Sequence, residues 1–312
     1  MTVINATGSL PGLGRLMVNY VISAGNSIDR SELFDRLLPE NLRSGGNPLG
    51  NLDGTLTAIK DAGLLIHSGN IVSTTPRVDD FAQGKPLKAD RFRRLLQRSI
   101  FESIDADPWD QATGETLTSG SKDLTRALSW FLAQDVRSTL TWDKTTDGLD
   151  SAELLQVQQL PGTTDLLPFS NGTRWQIFSR WSVALGMAEP ALTGTAFQLH
   201  PDPTVAIRDI TLEMSPGLRT IDDFLDSLTR ELPVISGGSI RSGFLKLADG
   251  DPDPHASTGL LDTSIAQALL SLEEEKVVTL LPAKSDTTSK TIGLGSVQRR
   301  ITHMEVHEVA VR

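Results

Sequence analysis

The densest chemistry in this 312-residue chain is a run of cations, Lys85-Pro86-Leu87-Lys88-Ala89-Asp90-Arg91-Phe92-Arg93-Arg94-Leu95-Leu96-Gln97-Arg98. Residues 85–98 carry a net charge of +5, whereas residues 1–84, 99–215 and 216–312 carry −2, −9 and −4. Lys88, Arg91, Arg94 and Arg98 recur at helical spacing, and Phe92, Leu95 and Leu96 line a second face, so the run predicts an amphipathic helix with a basic stripe. Together with Lys85 and Arg93, such a stripe suits phosphate contact, which supplies affinity without sequence information. A solvated helix face pairing with acidic neighbours in residues 102–110 explains the same charge.

Other groupings of reactive residue types are weaker. Asp249, Asp251, Asp253 and His255 superficially suggest a calcium loop, but Pro252 and Pro254 intrude, and the sixth and twelfth positions are Pro254 and Leu260 rather than Gly and Glu. A flexible acidic loop fits better. His303 and His307 share a face, yet no third ligand accompanies them, and surface histidines are the simpler reading. Gly293-Leu294-Gly295-Ser296 lacks the Lys and Ser/Thr of a phosphate-binding loop, and no G-x-S-x-G elbow is present. Cysteine is absent, which removes disulfides, Cys-based zinc sites and thiol nucleophiles. The expectation is a protein that is not an enzyme and uses no cofactor or metal.

The elements that must position the cations begin at the N-terminus. Leu13, Leu16, Met17, Tyr20 and Val21 predict a helix closed by Ala24-Gly25-Asn26. Leu33, Phe34, Leu37 and Leu38 predict a second, with Asp29 or Ser31 as cap and Pro39 as stop. Leu52, Leu56 and Ile59 share a face of a third, Asn51 to Ala62, ended by Gly63. Leu64 to His67 and Ile71 to Thr74 then flank the turn Ser68-Gly69-Asn70 as a hairpin. Three helices and a hairpin in that order predict a winged helix, which lays its third helix in a DNA groove or against a partner protein. The third helix offers Asn51, Thr55, Thr57 and Lys60, but Asp53 and Asp61 offset the lysine, and base readers usually bring Arg, Lys, Asn or Gln. Ser68 and Asn70 would orient the module from the wing. A helix this neutral binds DNA weakly unless the 85–98 segment lies beside it, and neutral winged helices also serve as docking modules.

The remainder echoes this order. Leu124, Ala127, Leu128, Phe131 and Leu132 predict a helix within residues 120–134, followed by a polar stretch with Asp143, Asp147 and Asp150. Trp175, Phe178 and Trp181 then stripe a helix from Arg174 to Leu185. The stripe offers a base-stacking platform in principle, but its spacing is that of core. Thr195 to Leu199 and Val205 to Ile210, around Pro201-Asp202-Pro203, are expected as a strand pair. A third echo follows: helices from Ile221 to Leu232 and after Asp262, then strands at 277–281, 292–294 and 301–311, with a polar turn at 284–290. The expected fold is α+β, mainly helical, with tandem winged-helix-like units each carrying a small antiparallel hairpin. Its domains are residues 1–78, 79–215 (basic helix plus middle unit) and 216–312.

At 38% hydrophobic and 22% charged the composition is that of a soluble globular protein. No apolar run approaches the roughly 20 residues that span a bilayer, and the first residues lack a signal-peptide pattern, so a cytoplasmic location is expected. The opening Ile4-Asn5-Ala6-Thr7-Gly8-Ser9-Leu10-Pro11 running into Leu13 to Ser23, with the units above and the total length, resembles the DpdG family. That resemblance covers the whole chain and carries no signature motif. It implies an accessory protein of bacterial islands that install 7-deazaguanine derivatives in DNA and restrict unmodified DNA, acting in phage defence beside helicase, ATPase and nuclease-like partners. It brings no catalytic residues with it. Two functions follow as expectations: a non-catalytic DNA-binding accessory subunit, or a docking subunit that assembles with partners or another copy of itself. A winged-helix transcriptional regulator is a third.

Overall fold

A computed structural model of the chain describes residues 2–43, 46–102, 107–109, 120–142, 150–162, 164–191, 197–248, 259–282, 289–294 and 297–308. It is α+β and mainly helical, with small, largely antiparallel sheets, as the sequence predicts. Residues 1, 44–45, 103–106, 110–119, 143–149, 163, 192–196, 249–258, 283–288, 295–296 and 309–312 lie outside the described set. With them go the acidic tract with Asp249, Asp251, Asp253 and His255, as well as Asp143, Asp147 and most of the expected turn at 284–290.

One element order occurs three times. First come α1 (Pro11–Ser23), β1 (Ser27–Asp29), α2 (Arg30–Leu37), α3 (Pro48–Asp61), β2 (Leu65–Ser68) and β3 (Ile71–Thr74), with β3 antiparallel to both β1 and β2. After α4 (Pro76–Ala82) and α5 (Ala89–Glu102) come α6 (Lys122–Phe131), β4 (Leu140–Thr141), β5 (Asp150–Ser151), α7 (Ala152–Gln159), α8 (Gly172–Ala184), β6 (Ala188–Pro190) and β7 (Leu199–Pro201). Here β7 is antiparallel to β4 and β6, and β5 adds in parallel beside β4. The third series is α9 (Thr204–Glu213), β8 (Gly217–Thr220), α10 (Ile221–Glu231), α11 (Ser239–Leu247), α12 (Thr263–Glu274), β9 (Val278–Pro282), β10 (Lys290–Leu294) and β11 (Val297–Val306). β11 is antiparallel to β8, β9 and β10. Each time, the strand after the first helix joins the last strand, which also takes the strand following the last helix; in the third series α11 is an added helix and β10 an added strand.

Local chemistry repeats with the topology. Asp29, Ser151 and Thr220 each end a short strand and cap the next helix, accepting from the amides of Ser31 and Glu32, Leu154, and Asp223. Such a cap satisfies donors that the first helical turn leaves open. The last helix of each series exits through a left-handed residue, Gly63 (φ 76°), Gly186 (φ 71°) or Lys276 (φ 60°), before the strand that follows.

Three expected boundaries need correction. Val205 to Ile210 is not a strand; it lies in α9, where Ala206, Ile207 and Ile210 are buried at helical spacing. Asp202 accepts from the Thr204 amide at 2.8 Å and starts the helix. A short apolar run does not separate strand from buried helix by periodicity, and the partner of β7 is instead β6. α3 starts at Pro48, three residues before Asn51, because Asn47 caps it through the Gly50 amide. α5 spans 89–102 rather than 85–98.

The described chain packs as two compact units. The first comprises residues 1–106, 111–127 and 168–185, the second 107–110, 128–167 and 186–312. The boundaries expected at residues 78 and 216 fall inside the continuous stretches 1–106 and 186–312. In the first unit the segment Thr2–Ala6 runs as a strap whose Val3 and Ile4 are fully buried. Its Val3 amide donates to Gly120 O at 3.3 Å and its Ile4 amide to the Asp123 carboxylate at 3.1 Å. Trp175, Phe178 and Trp181 are core, as their spacing predicts: Phe169 meets Trp175 edge-on at 5.2 Å, and Trp181 Nε1 donates to Ser9 Oγ at 3.0 Å. Gly54 lets the strap lie against α3, since a Cβ there would run into the Thr7 carbonyl oxygen, a backbone atom that cannot swing away. Gly54→Ala is expected to lower stability by about 1–3 kcal/mol, read as a reduced denaturation midpoint.

In the second unit Trp109 Nε1 donates to Ser129 Oγ at 2.9 Å, and Trp130 Nε1 to Gln159 Oε1 at 2.8 Å. Arg241 is buried, donates to Ser129 O at 2.6 Å and lies 5.6 Å from the Phe244 ring centroid. Among the described residues no helix is long and apolar enough to cross a membrane.

Candidate interaction surface

The structure places the cations of residues 85–98 in three different settings. Lys85 and Lys88 are exposed in the segment before α5, and neither makes an ion pair among the described residues. Arg91, in the first turn of α5, is exposed, but its guanidinium lies 4.5 Å from the Phe81 ring centroid and donates to Phe81 O at 3.1 Å. Arg98 approaches the same ring at 5.8 Å, so the two arginines hold α4 against α5. Arg93 is half-buried. Arg94 is only 4% exposed and donates to Gln97 Oε1 at 2.8 Å, while Gln97 donates to Leu185 O at 2.8 Å. Phe92, Leu95 and Leu96 are core as expected. The four-residue stripe is therefore not one surface, because the middle of α5 is buried on the side that carries Arg94 as well as on its apolar side.

The third helix of the first series is equally restrained. Thr55 is fully buried: its Oγ1 accepts from the Leu10 amide at 3.0 Å and donates to Asn51 O at 2.6 Å, so it braces α3. Asp53 forms an ion pair with Arg30 at the start of α2. Burial raises the Asp61 carboxyl above its ordinary range, against the pull of nearby positive charge including Lys60. Lys60 is exposed, and Asn51 and Thr57 are half-buried. In the β2–β3 turn, Ser68 and Asn70 are exposed, and Asn70 Nδ2 donates to Asp29, tying the turn to the α2 cap.

What the structure adds is an apolar outer face on the first sheet. The register sets Ser68 opposite Ile71 and Ile66 opposite Ser73, so these four side chains share one side. Leu65, Val72 and Thr74 are buried on the other. Ile66 and Ile71 remain 48% and 45% exposed. The alternation of Ile66 and Ser68 against Leu65 carries a signal for this, but both faces hold apolar residues and the inward one follows only from packing. Leu16 and Tyr20, counted with the buried stripe of α1 by their spacing, are 46% and 39% exposed. Asn19 instead uses that side of α1 to exchange two hydrogen bonds with the Leu87 backbone, at 2.7 and 3.0 Å.

The histidines are engaged locally. His307 Nε2 lies 2.8 Å from Thr279 Oγ1 and His303 Nδ1 3.0 Å from Thr302 Oγ1. No group of three metal-ligating side chains occurs among the described residues. The exposed set of Lys60, Lys85, Lys88, Ser68, Ile66 and Ile71 can make polar and apolar contacts, but it holds no buried nucleophile or paired acid and base.

No curated protein and no solved structure matches the chain. A family model described as DpdG-like matches residues 1–287.

Proposed function

Since the chain belongs to the DpdG-like family, we propose that it is a non-catalytic accessory subunit of a bacterial DNA modification and restriction system that works by docking onto protein partners of the same system. Three winged-helix modules in tandem are the frame of this reading, supported by the recurring order of helices and strands. The observation that carries the docking role is the fate of the cations: Arg94 is buried and Arg91 and Arg98 close on Phe81, while Ile66 and Ile71 face outward. Exposed apolar side chains on a small rigid sheet suit the core of a protein interface. The partners are the helicase, ATPase or nuclease-like subunits that the family resemblance implies. Co-expression with those gene products is expected to give a stable complex that Ile66→Ser/Ile71→Ser breaks, with the free variant still folded by circular dichroism. Failure of every such product to co-purify with the intact chain removes the docking role.

A DNA-binding role is the second reading, favoured by Lys85, Lys88 and Arg91 exposed together at the start of α5. Anisotropy of labelled single- and double-stranded DNA at two salt concentrations separates the two readings. Docking alone predicts no salt-sensitive binding. Binding that falls steeply with salt and is lost in Lys85→Glu/Lys88→Glu assigns the segment to phosphates instead.

A further inference from the structure

Two faces of the described chain combine exposed apolar side chains with charge of opposite sign. The first is in the first unit. Leu16 and Tyr20, one turn apart on α1, are both exposed. Asn19 shares their side of the helix and holds the Leu87 backbone through two hydrogen bonds, so the segment carrying Lys85 and Lys88 is fixed beside them. Both lysines are exposed and make no ion pair among the described residues. Asp90 is the single acid of residues 85–98 and leaves that segment strongly positive. The second face is α7, in the second unit. Leu154 and Val157 adjoin on one side of this helix and are 51% and 52% exposed. Glu153 in its first turn and Asp150 just before its Ser151 cap are exposed beside them, and neither acid makes an ion pair among the described residues. Apolar side chains that adjoin on one face and are rimmed by charge suit a contact surface.

We propose that α7 of one copy of the chain docks on the α1 face of a second copy. Leu154 and Val157 pack against Leu16 and Tyr20, while Glu153 and Asp150 meet Lys85 and Lys88. Charge selects this pairing. Two α7 faces brought together would crowd carboxylates, and two α1 faces would crowd lysines, whereas one of each matches apolar to apolar and acid to base. One chain carries both halves, so a second copy is a complete partner. The contact joins unlike surfaces, so it either closes into a ring or extends from copy to copy. α7 has eight residues and is about 12 Å long, which confines the contact to a small, reversible one. Neither Ile66 nor Ile71 takes part, so self-association and docking onto other subunits stand or fail separately.

The test is sedimentation velocity of the full chain, freed of nucleic acid, over rising concentration at low and at high salt. Wild type is expected to gain mass with concentration at low salt and to lose that gain at high salt. Lys85→Glu/Lys88→Glu and Asp150→Lys/Glu153→Lys are each expected to weaken association by at least about tenfold, since each variant carries two faces of one sign. Mixed together, the two variants are expected to associate again, because the acidic α1 face of the first then meets the basic α7 of the second. Leu154→Ser/Val157→Ser is expected to stay monomeric without any change of charge, with circular dichroism confirming that every variant is folded. Wild type that remains monomeric throughout, association that survives in either reversed variant alone, or a mixture of folded variants that does not associate overturns the proposal.

Discussion

Asp123→Ala is expected to lower stability by about 3 kcal/mol at neutral pH, because it strips the acceptor from a buried Ile4 amide and from the Thr2 hydroxyl, and leaves the largely buried Arg174 without its carboxylate at 3.8 Å. The strap then has no polar anchor at Ile4. Asp123→Asn keeps an oxygen for that amide, mimics the protonated carboxyl, and is expected to stay within about 1 kcal/mol of wild type at pH 4. The pair also differ in pH dependence, with a sign fixed by burial. Desolvation raises the Asp123 carboxyl to about 6, although Thr2, Arg174 and the Leu124 and Ile4 amides pull it down. A carboxyl with a raised native value contributes stability that is complete below about pH 4 and is lost as pH climbs through 6. Urea midpoints between pH 4 and 7 are therefore expected to show wild type losing about 2 kcal/mol relative to Asp123→Asn across that window. Parallel curves would assign Asp123 an ordinary acidity and the strap a purely apolar anchor.

Arg94→Glu is expected to cost about 3–5 kcal/mol, whereas Lys88→Glu, six residues earlier in the same basic run, is expected to change stability by less than about 0.5 kcal/mol. The difference follows from setting. Lys88 is exposed, while Arg94 is buried and hydrogen-bonded to a glutamine whose amide in turn reaches Leu185 O. A carboxylate there faces Gln97 Oε1 with no donor of its own. Thermal unfolding of the two variants reads the contrast directly, and equal melting temperatures would show that position 94 tolerates either charge. Loss of DNA or partner binding after reversal of Arg94 therefore reports on folding, and Lys85 and Lys88 are the positions that test charge.

The N-terminal helices, Gly63 as a helix stop, the wing turn and the Trp175, Phe178 and Trp181 core stripe were legible because each is a local signal: spacing, a cap, a residue that tolerates positive φ. Arg94 was not legible. Its spacing places it with Lys88 and Arg91, and only packing around α5 shows that the helix is buried over more than one face. Leu16 and Tyr20 fail in the opposite direction, being apolar at core spacing yet exposed, because spacing names a face without naming what covers it. Val205 to Ile210 is too short a run for periodicity to separate a strand from the buried face of α9.

The strap at residues 2–6 has a consequence for the order in which the chain matures on the ribosome. α1 to β3 make their contacts with one another and can form early, but Ile4 waits for Asp123, 119 residues later, and Ser9 for Trp181, 172 residues later. At roughly 5–20 residues per second, that interval lasts many seconds, during which the strap has α3 to lie on but neither Asp123 nor α8 to complete its burial. Residues 2–6 are thus made long before they are fully seated, and the nascent protein keeps this apolar stretch unanchored until α8 has left the exit tunnel. Loops closed over so many residues are slow to form, so this stretch stays open to a chaperone for longer than α1 to β3, whose contacts are local.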